Sequence, residues 1–154
     1  MKIKDSLTKK TKLKVANKSK CNNLNDIQNS EDLDNMITML FNDANTDYTI
    51  KEIHNYTMAL PKEYWGAGSY DKWIRVCWAL KNTNEKMILT WMKFCSQSEE
   101  FDFTNNNSLE TWEDGEINDG DGYTFKSIIY WCKTSNSDEY KNIYNKTVDY
   151  YIYY

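Results

Sequence analysis

The cations Lys72, Arg75, Lys81, Lys126 and Lys133 are the side chains whose type and setting point to chemistry. They lie among Trp and Tyr residues on segments with helical spacing, and Arg75 is the only arginine of the chain. Cations neutralise phosphates and aromatic rings stack on unpaired bases, so such a set suits single-stranded nucleic acid. Trp73, Trp91 and Trp131, however, fall at core positions of their helices, which leaves the outward Lys and Arg to carry such a surface.

Other chemistries find less support. Asp114–Gly122 has the density of carboxylates that a calcium loop needs, but an EF-hand loop requires Gly at its sixth position and Glu at its twelfth. Counted from Asp114 those positions hold Asp119 and Phe125, so the segment reads as a solvated acidic loop. The pairs Glu99/Glu100 and Asp119/Asp121 have no nucleophile or oxyanion donor beside them. His54 is the single histidine, no two of the four cysteines are close in sequence, and no GxxxxGK[ST] occurs. A zinc site, a Cys–His or Ser–His catalytic set and a phosphate-binding loop are therefore not expected, and no cofactor is assigned.

These residues require helices to position them. The spacing predicts a helix opened by Ser30, with Leu33, Met36, Ile37, Leu40 and Phe41 inward, and a weaker one from Thr49 to Leu60 that Pro61 stops. Tyr64 and Trp65 are expected to fold back over the core. A third helix, Tyr70–Lys81, is opened by Ser69 and turns Tyr70, Trp73, Ile74, Cys77, Trp78 and Leu80 inward, leaving Arg75 off that face. Asn84 opens the next, which runs to Ser98 with Met87, Ile88, Trp91, Phe94 and Cys95 inward. One short turn is expected at Leu109–Trp112. Thr124 caps a helix with Phe125, Ile128, Ile129 and Cys132 inward, and Ser137 caps a last one with Tyr140, Ile143, Tyr144, Val148, Tyr151 and Ile152 in line.

Only 5 Gly and 1 Pro among 154 residues argue against a sandwich or barrel. The expectation is an all-α bundle of about five to six helices. Residues 31–154 form the helical domain, and a disordered basic tail occupies residues 1–30. Residues 1–20 carry eight Lys and one Asp, whereas nine carboxylates and no base lie between Ser96 and Gly122. The tail reads as a solvated linker or as an arm that touches phosphates or a partner. Cys77, Cys95 and Cys132 are expected as buried thiols in a reducing compartment, and no run of 18 apolar residues marks a membrane span.

Four blocks in order carry a family resemblance across about residues 49–146. They are Tyr70–Val76 with Trp78–Asn82, then Leu89–Ser98, then Trp112, then Tyr123–Lys133. Together they resemble the second type of primase C-terminal domain, in the version found in poxvirus-type primase-helicases of nucleocytoplasmic large DNA viruses. Cys77 stands where the family usually has glycine, and Asp114-Gly115 where an aromatic residue usually follows Trp112. The resemblance implies a small all-α module between a primase and a superfamily 3 helicase, in proteins classed as hydrolases acting on acid anhydrides. It also implies DNA replication in the host-cell cytoplasm. The module would help hold template or primer, through Lys72, Arg75, Lys81, Lys126 and Lys133, and couple priming to unwinding. Its partners would be single-stranded DNA or primer-template and the primase and helicase modules. The alternative is a protein–protein docking module without nucleic-acid contact. No catalytic residue is assigned.

Overall fold

Among the described residues tertiary packing is helix on helix, in keeping with the scarcity of Gly and Pro. The computed structural model describes residues 24, 26–105, 107–115 and 122–153. The Lys-rich stretch 1–20 and the Asp119/Asp121 pair lie outside them. Among the described residues the chain is all-α, with no strand. Its helices are α1 (Ser30–Asn42), α2 (Tyr48–Met58), α3 (Tyr70–Thr83), α4 (Ile88–Cys95), α5 (Ser108–Asp114), α6 (Phe125–Ser135) and α7 (Ser137–Tyr153). Short 3₁₀ turns at Lys62–Tyr64 and Glu85–Met87 precede α3 and α4.

The chain divides into two compact units, Met1–Asp34 and Asn35–Tyr154. In the first, the Asp32 backbone N–H donates to Asn29 Oδ1 (2.8 Å) and the Gln28 N–H to Asp32 Oδ2 (3.1 Å). Asn29, not Ser30, therefore caps α1, because its carboxamide reaches the third amide of the first turn.

In the second unit α6 packs on α2, α3 and α7, while α4 packs on α2, α3 and α5. Tyr48 at the start of α2 stacks on Tyr150 near the end of α7 (3.8 Å), and Tyr56 stacks on Tyr140 (5.7 Å), so α2 and α7 run antiparallel. Asn136, at the α6–α7 corner, donates from Nδ2 to the Ala59 carbonyl at the end of α2 (2.9 Å). Asn136 also stands where Ser137 was expected to open α7: its carbonyl accepts from the Tyr140 N–H and Ser137 is already helical. Thr124 caps α6 as expected, in a reciprocal box with Ser127. Gly68 (φ 79°) and Gly122 (φ 90°) turn the chain in the left-handed region just before α3 and α6.

Two faces differ from the sequence expectation. On α3 the buried residues are Val76, Cys77, Ala79 and Leu80, whereas Trp73, Ile74 and Trp78 are half-buried and Tyr70 is 64% exposed. α3 lies against both α4 and α6, and small residues let the two neighbours approach. The Ser69 hydroxyl donates to the Gly66 carbonyl (2.6 Å) instead of capping α3. On α7, Ile143 and Thr147 are buried, but Tyr144, Tyr151, Ile152 and Tyr153 are exposed. As expected, Tyr64 is buried and Trp65 packs on the core. Helix α4 stops at Cys95 rather than Ser98, and Leu89, Thr90 and Met92 are buried beside its expected inward face.

Trp91 is fully buried, and its indole N–H donates to the Ser108 carbonyl (2.8 Å). Trp73 lies at 4.9 Å and Phe94 at 6.1 Å. Replacing Trp91 with Phe removes the buried indole hydrogen bond to the Ser108 carbonyl and opens space in the core. The expected loss is about 3 kcal/mol, read as a lower urea midpoint at unchanged slope. Cys77, Cys95 and Cys132 are buried thiols. Burial holds Cys95 well above the ordinary thiol range and pushes Cys132 up to about 11. Both are expected to resist a disulfide reagent at pH 8 in the folded chain and to react at once in urea; fast reaction of the native protein would contradict this packing.

Candidate nucleic-acid interface

The structure distributes the five cations over three places. Lys72 and Arg75 are one turn apart on α3, both exposed, and both act on Tyr64. Lys72 Nζ sits 5.1 Å from the Tyr64 ring centroid and donates to Glu63 Oε2 at 2.6 Å. That carboxylate raises the Lys72 ammonium above its ordinary range. Burial pushes the Tyr64 phenol up, while the positive charges of Lys72 and Arg75 pull it back.

Lys126 and Lys133 occupy the first and last turns of α6, both exposed. Tyr130, 64% exposed, lies between them, and the i, i+4, i+7 spacing puts all three on one outward stripe. Lys133 Nζ lies 5.9 Å from the Tyr140 ring of α7.

Lys81 is turned to the other flank of α3. Its ammonium donates to the carbonyls of Trp112 (2.6 Å) and Gly115 and lies 5.9 Å from the Trp112 ring. Those carbonyls end α5, where the helix leaves acceptors without intrahelical donors and where its dipole favours a cation. Lys81 is thus built into the fold as the cap of a short helix.

Between α3 and α6 runs a row of rings that sequence reasoning did not single out. Trp78 is nearly parallel to Tyr123 (6.5 Å, 11°), Tyr123 lies against Trp131 (5.6 Å), and Trp131 against Tyr64 (6.1 Å). Trp78, Tyr123 and Trp131 are half-buried, so each keeps part of its surface in water. Asn82 Nδ2 donates to the Tyr123 carbonyl (3.0 Å) and fixes the entry to α6. Lys72 and Arg75 border the Tyr64 end of this row. The spacing Lys72, Arg75, Trp78, Asn82 was the available signal, since it makes one helical stripe. It was masked by counting Trp78 among the core residues. Rings with a bare edge beside two cations offer a base a stacking surface and a phosphate a counter-charge.

Elsewhere the chemistry is structural. His54 Nδ1 hydrogen-bonds Thr90 Oγ1 (2.9 Å) and joins α2 to α4, with Phe41 edge-on at 5.1 Å. Among the described residues no group of three or more His, Cys, Asp or Glu is gathered as for a metal ion. No helix among them is long and apolar enough to cross a membrane.

Residues 53–132, just over half of the chain, match the model of the family described as Primase C terminal 2 (PriCT-2). The match runs from within α2 to within α6 and so contains the ring row, Lys72, Arg75, Lys81 and Lys126. Neither the curated proteins nor the solved structures gave a match.

The two classes of lysine separate by stability. Lys81→Met should cost about 1–3 kcal/mol, since it strips a charged donor from two carbonyls, whereas Lys72→Ala should stay within about 0.5 kcal/mol. Urea unfolding of the two variants checks this; equal midpoints would remove the capping role of Lys81.

Proposed function

Because this chain belongs to the Primase C terminal 2 family, and so carries a primase-associated C-terminal module, we propose that it holds template or primer in a viral primase-helicase and couples priming to unwinding. The observation that carries the proposal is the row Trp78–Tyr123–Trp131–Tyr64 with Lys72 and Arg75 at its end. Lys126 and Lys133 would extend the track along α6, and Tyr130 between them offers a further ring. Lys81 would act indirectly, by holding α5 in place.

Affinity on this reading is modest. The 134 residues that follow position 20 carry 11 basic and 22 acidic side chains, so the strand meets a local patch of cations on an acidic body. Residues 1–20, with their eight Lys, would add sequence-independent attraction. Nucleoside triphosphate hydrolysis and primer synthesis would belong to the helicase and primase modules, and the site of action would be the replication compartment in the host-cell cytoplasm.

A second reading is favoured by α7. Tyr144, Tyr151, Ile152 and Tyr153 are 50–76% exposed on a single helix, more aromatic surface than a solvated helix normally shows. Those side chains would suit docking on a neighbouring replication module without nucleic-acid contact.

Fluorescence anisotropy of labelled single-stranded DNA across a salt series tests the first reading. The intact chain should bind, and deletion of residues 1–20 should weaken but not abolish binding. Arg75→Ala and Lys126→Ala should each weaken binding and lower the salt slope by about 0.7, the increment for one phosphate contact on a single strand. Unchanged affinity in both variants would remove the α3–α6 face as the binding surface. Binding that disappears with residues 1–20 would leave docking as the function of the helical unit.

A further inference from the structure

We propose that Glu63 is a built-in phosphate mimic that holds Lys72 and so sets how tightly the α3–α6 face takes a nucleic-acid phosphate. The inference rests on the strand-binding reading above and concerns the regulation of that same surface.

The geometry is specific. The Glu63 carboxylate accepts from Lys72 Nζ at 2.6 Å, the close approach of a charge-assisted hydrogen bond of the kind an ammonium also makes to phosphate. The two side chains are 56% and 45% exposed, so the pair lies open to an incoming anion rather than sealed in the fold. Glu63 is not on a free loop. It sits in the 3₁₀ turn Lys62–Tyr64, which Pro61 opens, and the next residue, Tyr64, is buried. Tyr64 anchors the turn and also supplies the ring beneath the Lys72 ammonium. Consecutive residues thus supply the counter-ion and the aromatic floor of one cation, which keeps the carboxylate in reach of Lys72.

A phosphate that engages Lys72 therefore competes with Glu63 for the charge of one ammonium. An exposed pair contributes at most ~1 kcal/mol, so the exchange is easily made and easily reversed. Displacement returns the carboxylate to water beside the strand, where it repels the backbone. The net gain from Lys72 is smaller than from a lysine without a carboxylate, and fewer counterions are released per contact. Arg75, one turn further on, would carry more of the first encounter. The device lowers affinity without lowering stability, which suits a surface that must release a strand as it advances.

The test uses the intact chain and labelled oligo(dT) in anisotropy titrations at several salt concentrations. Variants are Glu63→Gln, Lys72→Ala and the double variant, with Arg75→Ala as a control on the face itself. Glu63→Gln should bind about twofold to fivefold tighter, the range of an exposed ion pair, with a steeper salt slope. In the Lys72→Ala background the same change should give no more than the small gain from one less negative charge. A Glu63→Gln chain that binds like the parent, while Arg75→Ala weakens binding, would overturn the gate and leave the surface standing. A gain of equal size with and without Lys72 would also overturn it, since the effect would then be net charge alone. If no variant and no parent binds, the surface and the gate fall together.

Discussion

A fully buried tryptophan with a polar edge constrains this fold more than any other group. Trp91 must bury its ring and still find an acceptor for its N–H. It finds one in the Ser108 carbonyl, 17 residues along the chain. Meeting that demand draws the acidic connection after α4 back onto the core, and α5 lies against α4 as a result. α5 then ends with its carbonyls facing α3, and Lys81 satisfies them. One indole N–H therefore fixes the path of a segment that has few apolar residues of its own.

Much of the helical plan was legible, for physical reasons that differ by element. α6 is readable because Thr124 and Ser127 form a complete capping box and Ile128 and Cys132 keep the period. α2 is readable from Ile50 and Ile53, and from Pro61 beyond its end, whereas its cap, Asp47, was not picked out. Faces were read less well than boundaries. On α3 a count of apolar residues favours the tryptophans, but packing on two sides gives the centre to Val76, Cys77 and Ala79. On α7 the hydroxyl of Tyr144 or Tyr151 makes an exposed position tolerable, and Thr147 takes the buried one. Serines at 30, 69 and 137 resemble caps, yet asparagines at 29 and 136 stand at the helix starts beside two of them.

The site was legible in its cations and not in their fates. Nothing local to Lys81 distinguishes it from Lys72; their partners lie 31 residues downstream in one case and nine upstream in the other. The former are carbonyls at a helix end and the latter an exposed carboxylate, which makes one lysine part of the scaffold and the other part of the surface. The ring row is invisible for the same reason. Tyr64, Trp78 and the Tyr123–Trp131 pair come from three segments and meet only when α3 and α6 pack.

The contact between Asn136 and Ala59 joins groups 77 residues apart, and the Tyr48–Tyr150 stack closes the same α2–α7 pairing. During synthesis, at about 5–20 residues per second, α2 emerges several seconds before the helices that cover it. In that interval Ile53 and Tyr56, which end fully enclosed, have no α6 or α7 to lie against. The nascent chain therefore passes through a stage in which α2 has only the helices already made to cover it. Closure comes only when α7 has left the exit tunnel, so the domain is completed late and from its C-terminal side.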